Sequence, residues 1–408
     1  MNKGVVIVGA GHGGVSLASA LRAQEYTGKI TLLSDEADYP YHRPPLSKAF
    51  ISSDSADDEK KLLLEQESFY DEKQIDLRLG VRVTAIDTAN QRVALSHGEA
   101  LAYEHLILAT GARARTLPLP GNDLQGIETL RTLADARRIR QNLANCQAVV
   151  VVGGGFIGLE LAVTARQLGK QVTVLETASR IMERSVAPEV SEFVTQKHRA
   201  KGMTIELNAC VEAFIGEQRR VSGVRCCSGE RPADLVIVGA GGIANSELAQ
   251  AAGIECGNGI LVDAQLRTSA PNVFAIGDCA SHEHAYAGGA RVRLESIQNA
   301  NDQARLVAQV ICGSEARYQA VPWFWSDQGE VKLQMVGLSI GRTDCVTRGD
   351  PAQGRFSVFH YREQTLIAVD SINQPLEHIQ SRKLLAGGIS PDKALIADTR
   401  VDLKSLLG

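Results

Sequence analysis

The sequence predicts an α/β protein: two Rossmann-like dinucleotide-binding lobes followed by a smaller C-terminal α+β domain. Three observations predict it. Glycine turns of the form G-x-G-x-x-G stand at 9–14 and 153–158, each after a β-branched apolar run and before a helical pattern. Their first glycines lie 144 residues apart, room for one lobe between them. Past Pro322 the pattern changes to alternating segments of an antiparallel sheet.

Composition sets the bounds. A chain of 408 residues exceeds one ordinary core, so two or three domains are expected. Apolar content of 44% with 22% charged residues is ordinary globular usage, and the net charge of −4 argues against nucleic acid as main partner while allowing a local basic patch. The opening MNKGVVIVGAG runs directly into a strand, so no signal peptide is expected, and no run of 18 apolar residues suggests a membrane span. Eight cysteines are scattered without C-x-x-C or metal-ligand spacing. No metal site is expected, and a reducing, cytoplasmic setting fits.

In the first lobe Val5–Val8 reads as a buried strand, 15–24 as a helix and Ile30–Leu33 as the next strand. Asp35 and Glu36 follow, 26 and 27 residues after Gly9. His12 lies inside the glycine turn and reads as a loop side chain. The stretch 39–47, YPYHRPPLS, holds three prolines and reads as a rigid loop leading into a short helix. Lys48 follows that loop, and folding back over the first nucleotide would set it beside the cofactor. Residues 52–61 are polar and expected to be mobile. A strand over 101–110 closes the lobe, and 112–121 is a crossover.

The second lobe starts near Gly126, with a helix over 133–143. Then comes VVVVGGGFIGLELAVTARQLGKQVTVLE at 149–176. The first glycine of such a turn permits the bend, the second lets backbone approach a pyrophosphate, and the third lets helix and strand pack. Glu176 ends the second strand 23 residues after Gly153, near the spacing at which an acid holds a ribose 2′-OH. Glu160, two residues past Gly158, would repel phosphate. It reads either as an exposed helix-start acid favoured by the dipole or as a partner for Lys48 or a nicotinamide amide. Strands are expected over 211–224 and 233–239. Adjacent Cys226 and Cys227 read as structural thiols.

The chain then returns to the first lobe, with strands over 259–262 and 273–276. Asp278 follows the latter, placed to accept from a ribityl or ribose hydroxyl or to cap a helix. A helix runs over 296–310. In the last domain PWFWSDQ, 322–328, reads as a polar-ended turn with at least one tryptophan at an interface. Strands at 331–340, 355–360 and 365–372 form the sheet, and helices at 376–385 and 391–396 finish the chain.

The motifs VVIVGAGHGG, RPPLSK, LILATG, LRTL, VVGGGFIGLE, IGDCA, RLESIQNA and PWFWSDQ together carry a resemblance over essentially the whole chain. The chain resembles the FAD-dependent NADH:ferredoxin reductases of bacterial oxygenase systems, the family of putidaredoxin reductase and of the reductase components of aromatic-ring dioxygenases. The resemblance implies a glutathione-reductase-like fold: an FAD domain of residues 1–112 and 245–320, an NAD domain of 113–244 and a C-terminal domain of 321–408. It implies FAD contacts at Gly9, Gly11, Gly13, Gly14, Asp35, Arg43, Lys48, Val83, Arg131, Asp278 and Ile297. NAD contacts are implied at Gly153, Gly155, Phe156, Ile157, Gly158, Glu160 and Glu176. Lys48 and Glu160 are implied to lie near flavin and nicotinamide, and Trp325 near the flavin edge on the ferredoxin side. One departure is GAGGIAN at 239–245, where many relatives carry a proline before the asparagine.

Disulfide reductases of this fold carry C-x-x-x-x-C after the first turn, and this chain has no cysteine there. The expected reaction is therefore hydride transfer from NADH to FAD, then single-electron transfers to a [2Fe–2S] ferredoxin feeding a dioxygenase or cytochrome P450. Glu176 should select NADH, and nearby Arg180 is the residue that could instead admit NADPH. An acidic ferredoxin calls for a basic patch, for which Arg291, Arg293 and Arg305 are candidates. Rival readings are a reductase of rubredoxin or another carrier, a coenzyme A disulfide reductase, and an apoptosis-factor-like signalling flavoprotein.

Overall fold

The structure is a computed structural model that describes residues 3–53, 55 and 57–407. Within the stretch expected to be mobile, Asp54 and Ala56 lie outside the described residues, and Asp58–Leu62 is a short helix. The chain divides into two compact units, residues 1–42, 59–113 and 243–322 in the first, and 43–58, 114–242 and 323–408 in the second.

The first unit is organised on a five-stranded parallel sheet in the order Val273–Ala275, His105–Leu108, Val5–Val8, Ile30–Leu33, Ile75–Arg78. Val5 pairs with Ile30 on one side and His105 on the other. All four residues of Val5–Val8 and of Ile30–Leu33 are buried, as continuous β-branched and leucine runs require when both faces are covered. Helices His12–Ala23 and Ile297–Ile311 pack together through small residues, and a Cβ on Gly13 would touch Ile276 and Ala300.

The second unit repeats the plan. Its parallel sheet runs Thr204–Glu206, Gln171–Leu175, Ala148–Val152, Leu235–Val238, Ile127–Glu128. An antiparallel five-stranded sheet follows in the order Trp323–Gln328, Val331–Gly337, Thr365–Ile372, Arg355–Arg362, Asp344–Asp350. Two of its strands depart from expectation. Trp323–Gln328 is a strand and not a turn, paired along its length with Val331–Gly337. Asp344–Asp350, polar and holding a glycine, is an edge strand formed by its pairing with Arg355–Arg362. Helix Pro188–Ala200 reaches this sheet through a Phe193–Phe356 edge contact, ring centroids 5.4 Å apart. The tail is pinned by buried Arg348, which donates to Glu377 and to the carbonyls of Ile396, Asp398 and Val401.

The units do not follow the expected domain limits in two places. Residues 43–58 group with the second unit, and 323–408 group with 114–242. The first grouping has a visible cause: the Thr164 hydroxyl donates to the Ser47 carbonyl at 2.8 Å, and Ser47 and Lys48 both bond to Glu160.

Candidate active site

The two glycine turns are built alike. Gly9 and Gly153 have φ of +110° and +108°, a region that glycine alone enters without strain. A Cβ on either would collide with a carbonyl oxygen of the neighbouring strand's exit, Ala109 at 2.2 Å or Gly239 at 2.4 Å. Gly11 and Gly155 cap the helices His12–Ala23 and Phe156–Gln167 with no side-chain cap, and a Cβ on either would meet nothing within 4 Å. Each helix thus turns its positive end toward open space, and the residues present fit a pyrophosphate there.

Around the first turn, Asp35 is exposed and pairs with Arg82 at 3.1 Å, whereas Glu36 is half-buried and accepts the Tyr41 hydroxyl at 2.5 Å. Val83 is buried. His12 Nε2 sits 3.2 Å from His42 Nδ1. Asp278 lies in a short 3₁₀ turn, and its carbonyl accepts from Arg293. The cap of the helix Ile297–Ile311 is Ser296, which accepts from Asn299 N–H.

In the second unit Arg43 donates to the Arg131 carbonyl at 2.7 Å. Glu160 is 6% exposed, so the reading as an exposed helix-start acid does not hold. Its Oε2 accepts from Lys48 Nζ at 2.9 Å and from the Ser47 hydroxyl at 2.5 Å, and its Oε1 accepts from the Ser326 hydroxyl at 2.6 Å. Behind Ser326 stands a chain of buried groups. Gln328 Nε2 lies 2.9 Å from Ser326 Oγ, and Gln328 Oε1 lies 3.2 Å from His198 Nε2. Burial pushes His198 down to about 4, so the ring is neutral at pH 7 and donates from Nε2. Gln328 must then donate to Ser326, and Ser326 must donate to Glu160. Donor direction runs one way, and Glu160 presents acceptors only.

Sequence reasoning missed Ser47, Ser326, Gln328 and His198. The signal that could have found two of them is the alternation of a strand: Phe324, Ser326 and Gln328 share one face of Trp323–Gln328. Phe324 packs on Phe156, centroids 5.0 Å apart. Trp323 and Trp325 share the other face, 5.5 Å apart, with the Arg382 guanidinium 4.6 Å over Trp323.

Glu176 is held by the turn it serves. Oε2 accepts Gly154 N–H at 2.5 Å and Oε1 accepts Ala178 N–H at 2.8 Å. Arg180 ties its loop to the helix Pro188–Ala200, donating to the Val186 and Glu183 carbonyls and to the Ser191 hydroxyl. Of the docking candidates, Arg291 donates to the Val262 and Ser281 carbonyls, and Arg293, its side chain 9% exposed, bonds to Glu295 and the Asp278 carbonyl. Arg305 is exposed and pairs with Asp302 at 2.7 Å. Among the described residues no helix is long and apolar enough to cross a membrane.

Two glycine-turn nucleotide sites, each on its own parallel sheet, with a lysine paired to a buried glutamate on the second, define an oxidoreductase that works with two dinucleotides. The chain belongs to the pyridine nucleotide-disulphide oxidoreductase family, whose profile matches residues 3–304, and a reductase C-terminal profile matches residues 323–407. It is 42% identical to the 5,5′-dehydrodivanillate O-demethylase ferredoxin reductase subunit of Sphingobium sp. (strain NBRC 103272 / SYK-6), over 98% of this chain and 97% of that one. The ferredoxin reductase for the CYP199A2 system from Rhodopseudomonas palustris superposes with a TM-score of 0.97 at 43% identity, covering 100% of both chains. The reductase of the covalent putidaredoxin reductase–putidaredoxin complex gives 0.95 at 42%, covering 100% of this chain and 98% of that one.

Proposed function

We propose that this chain is an NADH-dependent flavoprotein reductase that delivers electrons singly to a [2Fe–2S] ferredoxin serving a bacterial oxygenase. The observation that carries the reading is a missing acceptor. No cysteine precedes Cys146, so none follows the first glycine turn where a redox disulfide of this fold would sit, Cys256, Cys279 and Cys312 of the same lobe are free, and electrons must leave for a partner. The relatives support the choice of partner, being named as ferredoxin reductases of a demethylase and of a cytochrome P450 system.

On this reading residues 1–112 and 245–320 hold FAD, 113–244 hold NADH, and 321–408 complete the reductase. Bound at the first turn, FAD supplies the conversion of a two-electron hydride into single electrons. The chain's own residues bind and orient. Gly155 to Gly158 take the NADH pyrophosphate at the helix end, and Glu176 accepts from ribose hydroxyls and repels a 2′-phosphate. Glu160, fixed on three sides, orients the nicotinamide amide, and Lys48 balances its charge. Trp325 marks the side from which electrons leave. All eight cysteines are free thiols, which suits a reducing cytoplasm.

The test is NADH-dependent cytochrome c reduction with a panel of ferredoxins and a rubredoxin, after the flavin is identified by its spectrum. A ferredoxin should support turnover. Turnover with rubredoxin alone would replace the acceptor, and a protein without flavin would overturn the reading.

A further inference from the structure

Away from both nucleotide sites, three side chains on three adjacent strands line up on one face of the C-terminal sheet. Cys345, on the edge strand Asp344–Asp350, stands opposite His360 on Arg355–Arg362. Its Sγ lies 3.5 Å from His360 Nδ1. Across the ring, Nε2 lies 2.9 Å from Asp370 Oδ2 on Thr365–Ile372. The same carboxylate oxygen accepts Ala187 N–H at 2.8 Å, which holds it in place. His360 and Asp370 are buried, and Cys345 is partly exposed at the sheet's edge.

A nucleophile within reach of a base, with the base oriented by an acid, is the arrangement that activates a thiol. Burial pushes His360 down, but the Asp370 carboxylate outweighs it and the ring is raised to about 9. The ring is therefore a cation beside the sulfur at neutral pH. Arg342 Nη1 lies 3.3 Å from the same Nδ1. Hydride transfer at the nucleotide sites calls on none of these residues.

We propose that Cys345, with His360 as proton donor to the leaving oxygen and Asp370 as orienting acid, is a peroxide-reactive thiol. The thiolate attacks the terminal oxygen of a hydroperoxide, an S–O bond forms and the O–O bond breaks. Sulfur is oxidised by two electrons to a sulfenic acid while the peroxide is reduced. The departing alkoxide or hydroxide takes the proton from His360 Nδ1 and leaves as alcohol or water. A low-molecular-weight thiol can then condense with the sulfenic acid, releasing water and leaving a mixed disulfide.

The test uses the full-length holoenzyme. It is treated with hydrogen peroxide in the presence of dimedone, and the trapped peptides are followed over time by mass spectrometry. Exposed Cys210, Cys227 and Cys312 are the internal standards. Cys345 should be trapped about tenfold faster than these. His360→Gln or Asp370→Asn should bring it to their level. Should those variants fail to fold, the wild-type protein in urea serves instead, where the advantage of Cys345 should vanish. Trapping of native Cys345 no faster than the standards overturns the proposal, and so does an advantage that persists in urea. Neither outcome bears on ferredoxin reduction, so this inference and the proposed function fail separately.

Discussion

The Ser326 hydroxyl donates to Glu160 Oε1 at 2.6 Å, tying together residues 166 positions apart. The bond is buried, and its direction is imposed from behind by Gln328 and the neutral ring of His198. A carboxylate gripped this way keeps one orientation, which is what positioning a reacting amide requires.

Ser326→Ala removes that grip while leaving Lys48 and Ser47 in place. An acceptor buried without its donor costs about 1–3 kcal/mol, so flavin reduction by NADH should slow by about tenfold or more. Stopped-flow reduction measures it, and Ser326→Thr, which keeps the hydroxyl, should recover most of the rate. An unchanged rate in the alanine variant would detach Ser326 from the chemistry.

Lys48→Met leaves the Glu160 carboxylate without its cation. The lysine side chain is 24% exposed, so water softens the loss, and the cost should fall below the roughly 3–5 kcal/mol of a fully buried pair. Slower flavin reduction or lower FAD content is expected. If both stay at wild-type values, the lysine has no part beside the cofactor.

Cofactor choice should favour NADH, because Glu176 is fixed by Gly154 N–H and Arg180 is held by Val186, Glu183 and Ser191. The ratio of kcat/KM for the two nucleotides reads this directly. Arg180→Ala should lower Tm and leave that ratio alone. A rise in NADPH selectivity in wild type over NADH would refute the assignment of Glu176.

Stability should depend on pH in one sense through His360 and in the opposite sense through His198, whose acid limb is shared with His282 and His378, also lowered to about 4. His360 is raised from 6.5 to about 9, so its contribution is fully present below 6.5 and is lost as pH rises through about 9. His198 is lowered to about 4, so its contribution is present above 6.5 and is lost as pH falls through about 4. Tm followed from pH 4 to 9 should fall at both ends. His360→Gln should flatten only the alkaline limb, and His198→Gln should reduce only the acid limb, the rest of which His282 and His378 carry.

Electrostatic docking can be probed at Arg305, the candidate arginine that is not anchored to backbone. Arg305→Glu should raise KM for ferredoxin and leave NADH–ferricyanide activity as it was. No change in KM would take this residue out of the docking surface.

Much of this was legible in the chain. The glycine turns announce themselves because Gly9 and Gly153 need positive φ, and buried parallel strands read as unbroken apolar runs. The pairing of Lys48 with Glu160 could be framed as an option, since the two motifs were visible. What stayed hidden depends on distant partners. Ser326, Gln328 and His198 carry no local signature, and their meaning comes from a strand facing a helix. The strand Asp344–Asp350 has the composition of a loop and is made a strand by its neighbour. That Arg180, which could admit a 2′-phosphate, bonds instead to its own loop and to Ser191 of the next helix depends on the folded loop.

The loop that carries Ser47 and Lys48 groups with residues far downstream, and this has a consequence for building chimaeras. A graft that moves 114–242 and 323–408 from a related reductase, cut at the obvious linkers, would pair a foreign Glu160 environment with the resident Ser47 and Lys48. Residues 43–58 have to travel with the graft as a third, non-contiguous piece, or the transplanted carboxylate meets two of its three partners on a loop from the other protein.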